Sequence, residues 1–352
     1  MIPDIGIANG IMSAVLNFAN AMPDSIIFDV VYFHETEATR KKDIEAFGGK
    51  VYKISRPSLS QLKNKELIQF FKQHKGEWEA LHIHAPHFAV FIAPYAKKAG
   101  IKNICVHCHS TEYSLKGNSS RNKLLSMYSK YCIKDKFACS ENAGKFWYGN
   151  KPFTVINNAI DCRKYTFNEE IRELTRESFG FTDETVFAHI GRTDIPQKNH
   201  KFLIEVFSEI HKITASKLLL IGGEETEELK ALCISNGLYE DVLFLGLRND
   251  VCNLLCASDI FLFPSTREGL PVSVIEAQAS GLPVLMSDSV TDEVCITELV
   301  KPLSLNETPA RWAQEAIELS KTKRKDHYEE LYSSGWDLKS ISKSLSDYYL
   351  AR

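Results

Sequence analysis

The chain has no apolar run approaching the roughly 20 residues that a membrane-crossing helix needs, so nothing in it reads as a transmembrane span. Its start lacks a basic stretch followed by a hydrophobic one, which removes the export-signal pattern and leaves a cytoplasmic location as the expectation. There is no low-complexity tract and no short-period repeat, so neither a solenoid nor a disordered linker is read here. Charge of one sign does not dominate: the net is only −3, and no recognisable nucleic-acid-binding module accompanies the basic residues. Cysteines number nine, an odd count, scattered and without an export signal, which points to reduced thiols rather than a disulfide framework.

What is present is ordinary globular composition, 44% hydrophobic and 25% charged, over 352 residues. That length exceeds one usual core and suits two domains of roughly 150 residues each. Apolar runs at 26–33, 51–54, 81–83, 104–106, 137–139 and 154–156 alternate with helix-length segments. A second set follows at 186–190, 218–221, 242–245, 260–263 and 284–286. Such alternation predicts an α/β chain of two Rossmann-like, mainly parallel, doubly wound domains in series. The expected bounds are 1–165 for the first domain, completed by a C-terminal helix at 336–352, and 166–335 for the second. The charged segment 161–183 is the expected hinge. Only Met1-Ile2-Pro3 precede the first Gly-bearing loop, Ile5 to Gly10, so the first strand of the N-terminal domain reads as missing. Either the true start lies upstream, or the first sheet closes without that strand.

Two segments carry chemistry. After the apolar run Ile260 to Ser265 comes Arg267-Glu268-Gly269-Leu270-Pro271, then a helix that contains Glu276. A turn and a helix start offer backbone N–H groups and a positive dipole end to an anion. Ionised carboxylates only accept hydrogen bonds, and the vicinal hydroxyls of a sugar donate them, so this pairing suits a phosphate-bearing polyol such as a nucleotide sugar. The other segment is Gly191-Arg192-Thr193-Asp194-Ile195-Pro196-Gln197-Lys198-Asn199, between a strand and an amphipathic helix. Arg192, a planar fork, and Lys198, a point charge, can converge on one diphosphate and offset charge growing on a leaving group. Gly222-Gly223-Glu224-Glu225 resembles a phosphate loop, but its glutamates would repel phosphate, so it reads as a turn before a helix.

Together these segments resemble the retaining glycosyltransferases of family 4, with the GT-B fold, and most nearly the subgroup that builds capsular and exopolysaccharides. Gly191-Arg192 with Lys198-Asn199 looks like the family's diphosphate motif and Glu268 to Glu276 like its Glu-x7-Glu motif. Val155-Ile156-Asn157-Asn158-Ala159-Ile160-Asp161 is similar to the segment that leads into the interdomain linker, and Val242-Leu243-Phe244-Leu245-Gly246 with Asp250-Val251 resembles the strand and loop beside the nucleotide base. The resemblance implies two domains facing across a cleft, the second holding the donor and the first the acceptor, with a terminal helix that crosses back. It implies donor contacts at Gly10, Arg192, Lys198, Gly246, Leu247, Glu268, Gly269, Leu270 and Glu276. His109, past the strand 103–108, resembles the family's cleft histidine, with His107 as its competitor. The catalytic set is then His109, Arg192, Lys198 and Glu268, and no cofactor is expected beyond the nucleotide-sugar donor, a UDP-sugar. No Asp-x-Asp occurs anywhere, which removes the metal-diphosphate anchor of the other main glycosyltransferase fold and favours metal-independent transfer.

Cys105-Val106-His107-Cys108-His109, with His82, His84 and His87 upstream, has metal-like composition. Alternation along a strand separates its ligands onto two faces, so no metal is expected there. The acceptor side is basic: residues 1–160 hold 21 Lys and Arg against 13 Asp and Glu, +8, while 161–352 hold 21 against 32, −11. Its densest stretch, 116–136, interleaves Arg121, Lys123, Lys130, Lys134 and Lys136 with Leu124, Met127 and Tyr131. That pattern fits peripheral docking on anionic lipid at the inner face of the plasma membrane, and equally a helix packed on its own sheet. A nucleotide-sugar epimerase or hydrolase of the same fold, and an inactive nucleotide-sugar-binding regulatory subunit, are the rival readings.

Overall fold

The computed structural model describes residues 1–350 apart from 8, 35, 37, 58–64, 114–118 and 194–195. The chain divides into two compact units, Met1–Ile160 with Gly335–Arg352, and Asp161–Ser334. Among the described residues no helix is long and apolar enough to cross a membrane, and no cysteine is paired.

The first unit runs β1 (Ile2–Asp4), α1 (Gly10–Ala21), β2 (Val30–His34), α2 (Lys41–Ala46), β3 (Val51–Lys53), α3 (Lys65–Gln73), β4 (Ala80–Ile83), α4 (Ala89–Lys98), β5 (Asn103–Cys108), α5 (Ser119–Cys132), β6 (Asp135–Ala138), α6 (Glu141–Tyr148) and β7 (Thr154–Val155). All its strand pairs are parallel, in the orders β1-β2-β3 and β4-β5-β6-β7. The opening strand is therefore present, which corrects the expectation that it is missing. Ile2 pairs with Tyr32 and Asp4 with His34. Met1 reaches the other side: its amino group donates to the His82 carbonyl (2.6 Å), and the His84 N–H donates to the Met1 carbonyl (3.0 Å). Three residues suffice to join β2 to β4. Pro3, with no N–H, and charged Asp4 hide the strand from a count of apolar residues.

The C-terminal helix, Leu338–Leu350, also belongs to this unit. Its Leu338, Ile341 and Leu345 complete a core with Phe18 of α1, Cys105 of β5 and Phe137 of β6. The helix α5 is inverted in character. It buries Asn122, Ser126 and Ser129 while Leu124, Met127 and Tyr131 stand 66%, 49% and 59% exposed. Lys134 and Lys136 lie beyond its end, Lys136 buried in β6, and residues 116–118 of the expected basic stretch fall outside the described residues.

The second unit contains α7 (Glu169–Ser178), β8 (Thr185–Ile190), α8 (His200–His211), β9 (Ser216–Ile221), α9 (Glu227–Ser235), β10 (Val242–Phe244), α10 (Val251–Ala257), β11 (Ile260–Phe263), α11 (Val272–Ala279), β12 (Val284–Ser287), β13 (Val300–Leu303), α12 (Pro309–Leu319) and α13 (Tyr328–Ser333). Its six strands form one parallel sheet ordered β10-β9-β8-β11-β12-β13. The winding direction reverses between β8 and β11, the switch point where doubly wound sheets open a crevice beyond their carboxyl ends. The charged segment 161–183 is not a hinge throughout. Within it Arg172 of α7 donates to the carbonyls of Cys256, Ala257 and Ser258 and pairs with Asp259 at 2.6 Å, so these charges dock a helix.

Candidate functional site

Because β8 and β11 are neighbours, the loops that follow them meet at the switch point, and those loops carry the two sequence motifs. After β8 the chain passes Gly191, where a Cβ would stand 2.7 Å from His189 Nε2 and 2.9 Å from the Lys198 stem, so only glycine leaves the lysine its path. A 3-10 turn, Pro196–Lys198, follows. Asn199 then adopts a left-handed conformation, φ 58°, and its side-chain amide donates to the Pro264 carbonyl at 3.1 Å. From the other loop the Thr266 N–H donates to the Gln197 carbonyl at 2.8 Å. Two segments nearly seventy positions apart are thereby stitched together.

The consequence is an ion pair. Lys198 Nζ stands 2.8 Å from Glu268 Oε1, with only 16% and 15% of the two side chains exposed. Oε1 has no hydrogen bond of good geometry, so the contact is one of charge on charge. The Phe263 ring, 4.8 Å from Nζ, supports the cation from below. Gly269 and Leu270 lead to Pro271 at the N-cap of α11, which has no side-chain cap, so the first N–H groups of that helix are left for an anion or water. Arg192 is exposed on the loop after β8, and Asp194 and Ile195 of the same motif fall outside the described residues.

Glu276 lies on α11, where the Tyr165 hydroxyl donates to its Oε1 at 2.8 Å. Burial pushes the Glu276 carboxyl above the usual range, and the tyrosine bond pulls back weakly. Tyr165 ends a 3-10 turn, Cys162–Tyr165, that no motif flags. Gly246, φ 60°, follows β10 two strands away on the same sheet edge, its carbonyl accepting from the Gly222 N–H at 2.7 Å, and Leu247 beside it is exposed. Gly222 turns the chain at φ 99°, and Gly223 serves packing, since a Cβ there would come within 2.4 Å of the Thr193 nitrogen. Two further residues escaped sequence reading. His189 and His200 lie under the Lys198 loop, their pKa values lowered by burial first and then by neighbouring positive charge, so they stay neutral there.

In the first unit, Asn9 caps α1, accepting from the N–H groups of Ile11 and Met12, while Asp4 accepts from the Gly6 N–H and the Asn9 amide. Gly10 opens the helix, exposed, and a Cβ placed on it would meet nothing within 4 Å, so neither packing nor backbone demands glycine there. Ala8 of this loop falls outside the described residues. Of the two competing histidines, His107 is wholly buried and His109 half-buried at the end of β5. His109 Nδ1 is 3.0 Å from Asn158 Oδ1, and its Nε2 is 2.9 Å from His84 Nδ1. Burial lowers the His109 pKa to about 4, against a small upward pull from Asn158, so the ring is neutral.

Residues 184–322 match the family described as "Glycosyl transferases group 1". The chain is 28% identical to EpsF of Bacillus subtilis (strain 168), assigned to the glycosyltransferases, over 93% of this chain and 90% of that protein. It is 30% identical to the UDP-Gal:alpha-D-GlcNAc-diphosphoundecaprenol alpha-1,3-galactosyltransferase of Escherichia coli, over 66% of this chain and 64% of that one. Among solved structures it resembles Anabaena Alr3699/HepE in complex with UDP and glucose, with a TM-score of 0.78 at 17% identity, covering 99% of this chain and 98% of that one.

Proposed function

We propose that the chain, which has the GT-B fold, matches the group 1 glycosyltransferases over residues 184–322 and has a relative in capsular polysaccharide biosynthesis, is a glycosyltransferase that moves a hexosyl unit from a UDP-sugar to a lipid-linked or growing glycan hydroxyl in surface polysaccharide biosynthesis, without a metal and with retention. The observation that carries the reading is the contact of Lys198 with Glu268 at the switch point of the second unit, beside the uncapped start of α11. Lys198, with Arg192, neutralises the departing diphosphate, and the N–H groups around Gly269 and Leu270 receive its oxygens. Glu276, an acceptor held by Tyr165, grips the ribose hydroxyls. Glu268 orients the sugar while fixing Lys198, and Gly246 and Leu247 border the base. In the first unit Gly10 lets the donor approach a helix start, and His109 bonds the donor sugar by exchanging its His84 contact. A leaving phosphate oxygen assists removal of the acceptor proton on the same face.

Incubating the protein with a panel of nucleotide sugars, with and without acceptor, and reading products by mass spectrometry tests this. Acceptor-dependent release of UDP with an α-linked product from an α-donor is expected. Acceptor-independent conversion would indicate an epimerase or hydrolase, and binding without turnover a regulatory subunit; either outcome rejects transfer. Replacing His109 by Ala should cut transfer far more than UDP binding, and unchanged turnover removes it from the mechanism. Peripheral contact with anionic lipid through α5 is part of the proposal, supported by the apolar and basic residues that the helix leaves exposed.

A further inference from the structure

Strands β4 and β5 pair in parallel with Ile83 opposite Val106, so the chain leaves both at the same edge of the sheet, where His84 and His109 follow. There the two rings touch: His84 Nδ1 and His109 Nε2 are 2.9 Å apart, with ring centroids 5.1 Å apart. That is an edge-to-edge approach, in which the N–H of one ring points at the lone pair of the other. On its far side His109 Nδ1 is 3.0 Å from Asn158 Oδ1, on the segment that follows β7.

A neutral imidazole has one N–H and one lone pair, and a side-chain carbonyl oxygen only accepts. The direction of both contacts is then fixed. His109 keeps its proton on Nδ1, which donates to Asn158, and its Nε2 accepts from the Nδ1–H of His84. The opposite tautomer would set lone pair against lone pair at Asn158. Both supports are held in turn. The His84 backbone N–H donates to the Met1 carbonyl at 3.0 Å, and its ring stacks on His82, with centroids 4.1 Å apart and planes 17° apart. His82 Nδ1 lies 2.6 Å from the Tyr349 hydroxyl. On the other side, the Ile156 N–H donates to the Ala138 carbonyl at 2.8 Å and the Asn157 amide to the Gly335 carbonyl at 3.1 Å, which anchors the segment that carries Asn158. His107, its ring centroid 4.1 Å from that of His109, is wholly buried, so of these two rings only His109 can meet a ligand.

We infer that Asn158 and His84 are positioning residues for His109: they fix it as the Nδ1–H tautomer with Nε2 as an acceptor, so that it receives a hydroxyl of the donor sugar and does not protonate the leaving group. The contact with sugar rests on the transfer reading above, while the tautomer belongs to the free protein. A hydroxyl both donates and accepts, so one that enters at this edge can donate to His109 Nε2 and accept from the His84 N–H, leaving neither ring unmatched. The titratable groups that bear on the pair are His82, His107 and the Met1 amino group, all of them bases. With a pKa of about 4, His109 keeps its lone pair throughout the neutral range.

The test is a long-range proton–nitrogen NMR correlation on the full-length protein carrying isotope-labelled histidine, the His109 signals being assigned by their loss in His109→Gln. The Nδ1–H tautomer is expected. Asn158→Asp keeps an acceptor and adds a negative charge, which should raise the His109 pKa from about 4 by roughly 1–3 pH units. Below its pKa the ring has no lone pair, so turnover of this variant relative to wild type should fall on acidification through that raised value. Asn158→Ala should release the tautomer and lower turnover at least about 10-fold, roughly the worth of one hydrogen bond, with UDP affinity within about twofold of wild type. His84→Leu should keep the tautomer and lower turnover as well, because Nε2 is no longer aimed. Should either of the last two variants fail to fold, as circular dichroism would show, the wild-type tautomer and the Asn158→Asp titration decide. An Nε2–H tautomer in the wild type, a His109 pKa unmoved in Asn158→Asp, or turnover of Asn158→Ala within about twofold of wild type overturns the inference. A protein that turns over no nucleotide sugar refutes the transfer reading instead, and the tautomer and the titration still judge the positioning pair.

Discussion

Replacing Lys198 by Ala separates what that side chain does for the fold from what it does for the donor. At 2.8 Å the attraction between Lys198 and Glu268 is about 6 kcal/mol for an effective dielectric constant near 20. Taking two groups that are 16% and 15% exposed out of water offsets much of this, which leaves a net of about 1–3 kcal/mol. Lys198→Ala strands a half-buried carboxylate, so thermal unfolding of the second unit should move down by about 2–4 °C for each kcal/mol lost. The double variant Lys198→Ala/Glu268→Ala removes the stranded charge and should recover part of that loss. Donor binding behaves differently, because the phosphate loses a charged donor in both variants. Calorimetric titration with UDP should show affinity reduced roughly 10- to 150-fold in the single variant, the equivalent of about 1.5–3 kcal/mol, and no recovery beyond a few-fold in the double. Raising salt should narrow the difference. UDP affinity within twofold of wild type in Lys198→Ala, or full recovery of affinity in the double variant, would refute the reasoning that places the diphosphate at this lysine.

In the proposed role Glu276 accepts from ribose hydroxyls best when ionised, and burial raises its pKa, so UDP affinity should fall on acidification at a higher pH than an ordinary glutamate dictates. Tyr165→Phe removes the bond that pulls the pKa down and should shift that loss to still higher pH; calorimetry across mildly acidic buffers checks it, and an unmoved acid limb refutes it. Gly223→Ala would press a Cβ to 2.4 Å from the Thr193 nitrogen and should cost about 2 kcal/mol or more in denaturant unfolding, whereas Gly10→Ala meets nothing and should hold or slightly raise stability while lowering turnover. Sedimentation with anionic vesicles at low salt should retain the wild type and lose Leu124→Asp/Met127→Asp, with each exposed cation near the surface worth about 1 kcal/mol; no wild-type binding at low salt rejects lipid docking.

The architecture was legible wherever apolar runs were long and punctuated, as at Thr185–Ile190, Ser216–Ile221 and Ile260–Phe263, because fully buried parallel strands need such runs. It was hidden where a strand is short or lies at an edge. Ile2–Asp4 contains a proline and an aspartate, and the edge strand Val300–Leu303 carries Lys301 and Pro302, so neither resembles a core strand. The glutamates and Lys198 could be picked out because their spacing follows from one loop and one helix. Tyr165 could not, since its partner is 111 positions away, and the contact of His84 with His109 depends on the register of β4 against β5, which no local pattern encodes. The inverted α5 misleads for the opposite reason: its apolar residues suggested packing, and Asn122, Ser126 and Ser129 are what it buries.

The first unit draws its final wall from residues that follow the whole of the second. The Ile160 N–H donates to the Trp336 carbonyl and the Leu338 N–H to the Ile160 carbonyl, each at 3.0 Å, and Ile341 and Leu345 close over Phe18, Cys105 and Phe137. During synthesis, then, the earlier-made unit keeps an open apolar seam until Gly335–Arg352 has been made and has docked. A stop codon anywhere within the last helix would leave a second unit with all its residues attached to a sticky, incomplete first one, so truncated products of this chain should be chaperone clients and aggregation seeds even though most of their length is correctly built.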